Sequence, residues 1–149
     1  MSTEALAFKL PIDVIGIQKL IPHRYPFLFV DRVLDLVPNN KIIAIRNITV
    51  SDPMLQGHFP GNPIVPGVVI VEGAAQAATL LGSISKGGFS TCLFTEVSFA
   101  RFRRSVVPGD VLQYNVYLEK TKSHFYWFKS SMTVGSDEVA VVEFSAMMR

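Results

Sequence analysis

Charge is scarce in this chain, and so is sulfur. Only 17% of the 149 residues are Asp, Glu, Lys or Arg, against 49% hydrophobic, and the net charge is +2. A field that weak gives no basis for nucleic-acid binding. The single cysteine, Cys92, excludes an intramolecular disulfide and fits a reducing, cytoplasmic setting. His23, His58 and His124 do not fall at metal-ligand spacing, and Cys92 has no partner motif, so no metal site is expected. There is no Gly-x-Ser-x-Gly elbow for a serine nucleophile. Repeats, linkers and low-complexity tracts are missing too, so residues 1–149 read as one domain. Met1 to Leu10 carries an early acid and no basic run before an apolar one, which argues against a secretory signal.

What the chain has instead is apolar surface to hide. That excess points to burial at a subunit interface or along a ligand tunnel. Its longest apolar tract runs from Phe59 to Ser85, 27 residues in which Glu72 is the only charge. Ile64 to Ser85 is long enough to span a bilayer, but Pro66, Glu72 and Gln76 interrupt it. A buried core helix over about 68–85 is therefore expected, ended at Lys86-Gly87-Gly88 by the usual glycine stop.

The rest reads as strands. A short helix over 12–21, capped by Asp13 and closed by Pro22, precedes strands over 27–37 and 41–50 joined at Pro38-Asn39-Asn40. Leu112, Tyr114, Val116 and Leu118 alternate with polar residues. Tyr126, Phe128, Ser130, Met132 and Val134 form the next apolar face, and Ala140, Val142, Phe144, Ala146 and Met148 the last. One long apolar helix among long antiparallel strands makes an α+β layer fold, a sheet wrapped around that helix. Gly82 to Ser90, rich in Gly and Ser, reads as a lid.

Glu72 is the anomaly. A lone carboxylate on an apolar helix costs several kcal/mol unless it is paired, hydrogen-bonded or protonated. Upstream, residues 57–67 hold three Pro, three Gly and His58. Such a loop is stiff but sharply folded, able to fix an imidazole and feed the chain into a helix at Pro66-Gly67. The Gly67 N–H then lies at the positive end of the helix dipole, placed to hold an oxyanion. His58, Gly67 and Glu72 supply a base, an oxyanion donor and an acid, the parts that enolate chemistry needs. Gln76, four residues on, shares a helix face with Glu72 and can orient it. The plainer readings stand beside this one. His58 and Glu72 can each be structural, and His23 is expected to order the Pro22–Pro26 loop.

Four separated motifs then occur in order. They are Leu20-Ile21-Pro22-His23-Arg24-Tyr25-Pro26-Phe27 with Val30-Asp31-Arg32-Val33; Gly57-His58-Phe59-Pro60-Gly61 with Pro66-Gly67; Glu72; and Ala100-Arg101-Phe102-Arg103 with Val107-Pro108-Gly109-Asp110. From about residue 18 to the end, the chain resembles the (3R)-hydroxyacyl-acyl carrier protein dehydratases of bacterial type II fatty acid synthesis. The resemblance implies a hot-dog fold and a cytoplasmic hydro-lyase of fatty acid and lipid A synthesis that needs no cofactor. It implies a homodimer, often three dimers in a hexamer, with each site built from the His of one subunit and the Glu of the other. By resemblance, His58 is the base, Glu72 the acid and the Gly67 N–H the polarising donor. Arg101, Arg103 and Arg104 are expected either to dock the acidic acyl carrier protein or to form a solvated strand end. Leu93 departs from the family, standing where many members carry a tyrosine before the strand phenylalanine. A hot-dog thioesterase, which would release free thiol, and a non-catalytic acyl-binding module are the alternatives.

Overall fold

The computed structural model describes residues 8–149. The first seven residues of the segment read as lacking a secretory signal lie outside them. Helix α1 spans Val14–Gln18 and is capped by Asp13, whose side chain accepts from the Gly16 N–H at 3.0 Å. It is shorter than the 12–21 expected, because the Ile12 backbone is taken by a bridge to Val33. Strands β1 (Arg32–Val37) and β2 (Lys41–Asn47) meet at Pro38-Asn39-Asn40, where Asn39 takes the left-handed φ of +59°. Helix α2 (Gly67–Lys86) follows, then β3 (Cys92–Phe102), β4 (Val111–Lys122), β5 (Phe125–Val134) and β6 (Asp137–Met148). All six strands form one antiparallel sheet in the order β1-β2-β4-β5-β6-β3.

The sheet wraps α2, the hot-dog arrangement. Nearly all of α2 from Gly73 to Ile84 is buried, against the inner faces of β4, β5 and β6 that alternation had marked. By length and composition α2 could cross a membrane, but 78% of its apolar window is buried inside the fold. Small residues let the helix lie close to the strands. A Cβ on Gly73 would sit 2.2 Å from Tyr114 Oη, and one on Gly82 would sit 2.3 Å from Met148 Cε. The second contact also corrects the lid expectation. Gly82 to Ile84 are buried in the last turns of α2, and only Lys86, Gly87 and Phe89 of that glycine-rich stretch are exposed.

The strand expected over 27–37 begins only at Arg32. Gln76, fully buried on α2, takes the backbone before it: the Phe29 N–H donates to Gln76 Oε1 at 2.8 Å, and Gln76 Nε2 donates to Phe27 O at 2.8 Å. Those groups are therefore withdrawn from the sheet ladder. The second strand likewise stops at Asn47 rather than residue 50, since Ile48 bonds to Gly109 and Asp110 in the loop before β4.

Candidate active site

The loop before α2 folds onto His58 as its composition demands. Phe59 and Asn62 exchange backbone hydrogen bonds of 2.9 and 2.8 Å around Pro60-Gly61, where Gly61 has φ +72°. Proline second and a left-handed glycine third is the chemistry of a type II turn. The Ile64 backbone then grips His58 twice. Its N–H donates to His58 O at 2.8 Å, and its carbonyl lies 2.8 Å from the ring Nδ1. A carbonyl only accepts, so Nδ1 carries the ring proton and Nε2 keeps its lone pair. The ring also stacks on Phe59, centroids 4.2 Å apart.

His58 opens on a cavity of about 350 Å³ lined by Ile64, Val65, Gly67, Phe102 and Val106 among others. Gly67 is the first residue of α2, so its N–H has no acceptor within the helix. A Cβ there would press on the Phe102 ring at 3.1 Å, so glycine keeps the cavity wall thin. His58 and Gly67 thus line one space.

Glu72 stands apart from them. Its Oε1 accepts from Gln76 Nε2 at 3.1 Å, the helix-face contact expected, and lies 3.5 Å from His23 Nε2. Its side chain is mostly buried, and desolvation raises its pKa above the usual 4.5, against the lowering effect of the Gln76 bond. Burial and the adjacent Arg24 charge lower that of His23. Both shifts run against the charged forms and so weaken the contact as an ion pair. Sequence reasoning placed His23 as a loop-ordering residue and missed its reach to Glu72. The signal was there in part, since both residues lie in the quoted motifs.

The arginine cluster sits at the end of β3. Arg103 Nε pairs with Glu138 at 3.0 Å, and Arg104 lies 3.5 Å from Asp137 and 3.6 Å from Asp110. Arg101 packs over the Phe99 ring, 5.7 Å from its centroid, and has no acidic partner among the described residues. Cys92, pushed up to about 11 chiefly by burial, stays a neutral thiol. Among the described residues no group of three acidic, His or Cys side chains gathers to hold a metal ion.

A family model described as a FabA-like domain matches residues 21–145. Among similar proteins is the 3-hydroxyacyl-[acyl-carrier-protein] dehydratase FabZ of Anaeromyxobacter sp. (strain K), 43% identical over 92% of this chain and 90% of that one. The protein of the same name from Cereibacter sphaeroides (strain ATCC 17025 / ATH 2.4.3) is 43% identical over 98% and 96% of the two chains. Among solved structures, the dehydratase heterocomplex ApeI:P of Xenorhabdus doucetiae superposes with a TM-score of 0.79 over 95% of this chain and 93% of that one, at 16% identity. At that identity the likeness speaks for the fold.

Proposed function

The chain belongs to the FabA-like family, and from that premise we propose that it removes water from 3-hydroxyacyl thioesters carried on acyl carrier protein, with His58 as base and Glu72 as acid. The observation that carries the residue assignment is the His58 ring. Its Nδ1 proton is committed to Ile64 O, which leaves Nε2 available as a base on a ring that lines the same cavity as Gly67. In the reaction, Nε2 takes the C2 proton while the Gly67 N–H holds the charge developing on the thioester oxygen. The C2–H electrons form the C2=C3 bond, the C3–O bond breaks, and the Glu72 proton leaves with hydroxide as water. His58 ends protonated and Glu72 ionised, and proton exchange with solvent restores both. A placed proton-transfer group contributes roughly 10²- to 10⁴-fold, and an oxyanion donor about 3 kcal/mol.

We further propose that a second copy completes each site. Within one chain His58 and Glu72 lie in separate surroundings. Val68, one turn before Glu72 on the same helix face, is 77% exposed. Strand β3 is an eleven-residue sheet edge with Leu93, Phe94, Val97, Phe99 and Phe102 all exposed. A long apolar edge invites pairing unless something covers it. The opposite edge, β1, has six residues and is already bridged by Ile12. A homodimer joined along β3 would cover both apolar surfaces, and the family pattern of three dimers in a hexamer would build on it. On this reading residues 1–149 act as one domain, in the cytoplasm.

For carrier-protein docking, Arg101 is the one arginine of the cluster without an acidic partner among the described residues, so Arg101→Glu is expected to raise KM for carrier-borne substrate several-fold at low salt and leave a short uncharged thioester unaffected. An equal effect on both substrates counts against docking there. The reaction itself is tested with hydroxyacyl and enoyl thioesters. Wild type should give enoyl product without free thiol, while His58→Ala and Glu72→Gln should each lose at least about a hundredfold in turnover with the fold intact. Release of thiol by the wild type indicates a thioesterase instead.

A further inference from the structure

Two nitrogens approach the Glu72 carboxyl, and both face the same oxygen. Gln76 Nε2 stands 3.1 Å from Oε1, and His23 Nε2 stands 3.5 Å from that same atom. Among the described residues no donor holds Oε2. The other His23 nitrogen, Nδ1, is buried without a hydrogen-bond partner. A proton on Nδ1 would be a buried donor with nothing to meet, whereas a proton on Nε2 faces an acceptor. The neutral ring therefore carries its proton on Nε2.

We propose that His23 is a positioning residue whose Nε2–H joins the Gln76 amide on Glu72 Oε1, leaving the transferable proton on Oε2. The inference rests on the reading of Glu72 as the acid. A carboxylic acid accepts at its carbonyl oxygen and donates at its hydroxyl. Two donors converging on Oε1 make that atom the carbonyl and Oε2–H the group that meets the substrate oxygen. When Glu72 gives up its proton, the same two donors stabilise the carboxylate left behind. The 3.5 Å contact is long for a hydrogen bond, as catalytic contacts in unliganded sites often are before substrate closes them.

The other charged and titratable groups around the pair have partners or surroundings of their own. Arg24 turns its guanidinium into the carbonyls of Gln18, Ile21 and His23. Cys92 on β3 and Tyr114 on β4 sense Glu72, and burial keeps both neutral. Arg46 on β2 is paired with Asp52, and Asp31 accepts the Asn47 N–H. A purely structural role for His23 is the competing account, since its ring stacks on Phe27 with centroids 6.5 Å apart.

The test separates the two roles by keeping the ring or keeping the donor. His23→Phe preserves a ring and removes the donor, while His23→Gln keeps an amide N–H at the reach of Nε2. With His23→Phe, kcat is expected to fall roughly tenfold or more, with KM little changed. Because the lost donor favours the carboxylate, the high-pH limb of kcat should also move upward by about one pH unit. His23→Gln should return both toward wild type. A wild-type limb and kcat in His23→Phe overturn the inference, as does an identical profile for Phe and Gln. Nitrogen NMR of the wild-type His23 ring needs no variant to fold. It should show the Nε2–H tautomer, and the Nδ1–H tautomer overturns the assignment. Glu72→Gln separates the two failures. If it turns over like wild type, the acid assignment itself is wrong; if it is inactive while His23→Phe is normal, only the role of His23 falls.

Discussion

Gln76 has no freedom to rotate its amide. Its oxygen accepts the Phe29 N–H, so its nitrogen must face Phe27 O and Glu72. A residue with three defined contacts and no exposure thereby presents a donor to the carboxyl that the apolar tract leaves unhydrated. The cost of that surrounding has a sign. Glu72 has a folded-state pKa above its ordinary 4.5, so between the two values the unfolded chain has released a proton that the folded one still holds. Its contribution to stability is fully present below about 4.5 and is lost as pH rises through the folded value. Glu72→Gln removes the penalty. Its stability relative to wild type should therefore improve from pH 4 to pH 8, read as the difference in urea midpoints at each pH. A difference that shrinks with rising pH would show the carboxylate to be favoured by the fold. As for legibility, Glu72 announced itself by its isolation in an apolar tract. His23 did not, because nothing in a Pro-flanked loop says which distant helix it will touch.

At the scale of elements, α2 and the sheet meet through absent side chains. Gly73 lets the helix backbone pass over Tyr114, whose hydroxyl donates to Phe29 O at 2.9 Å in the same buried layer as the Gln76 contacts. Gly73→Ala would gain up to about 1 kcal/mol of helix propensity. It would also drive a methyl into the Tyr114 hydroxyl, and overpacking of that kind costs about 1–3 kcal/mol. The expected outcome is a lower urea midpoint with loss of the Tyr114–Phe29 bond, and a midpoint at or above wild type would show that the layer can relax. The helix itself was legible because twenty mostly apolar residues between Pro66 and Gly87 have one plausible form. Strands β4 to β6 were legible from strict alternation. Strand β3 was not named as an element, and the reason is physical. Register shifts at Phe94/Glu96 and Val97/Phe99 break its period of two, and with both faces exposed it shows no buried stripe. The strand expected to start at residue 27 began too early for another reason: a side chain on α2, invisible to local pattern, takes its backbone groups.

At the scale of the whole molecule, the open β3 edge and the separation of His58 from Glu72 pose one question: whether a site is made within a chain or between two. In a two-fold dimer the same surface meets itself, so every residue of one subunit has an equivalent across the axis. If each site takes His58 from one copy and Glu72 from the other, two inactive variants complement each other. A dimer of one His58→Ala chain and one Glu72→Gln chain contains one site with neither group and one site with both. Unfolded together in equal amounts and refolded, half the dimers are mixed, so about a quarter of wild-type activity should return. A site made within each chain gives a different result, since every chain then lacks one group and no mixture recovers turnover. The edge can be tested in the same assay. Val97→Lys places a charge on the exposed, apolar β3 face and should shift sedimentation toward the monomer. If β3 joins the halves, introducing Val97→Lys into both inactive variants should abolish the complementation together with the dimer. Full activity in a Val97→Lys chain that keeps both groups and sediments as a monomer would place both catalytic groups on one subunit and leave the β3 edge to some other contact.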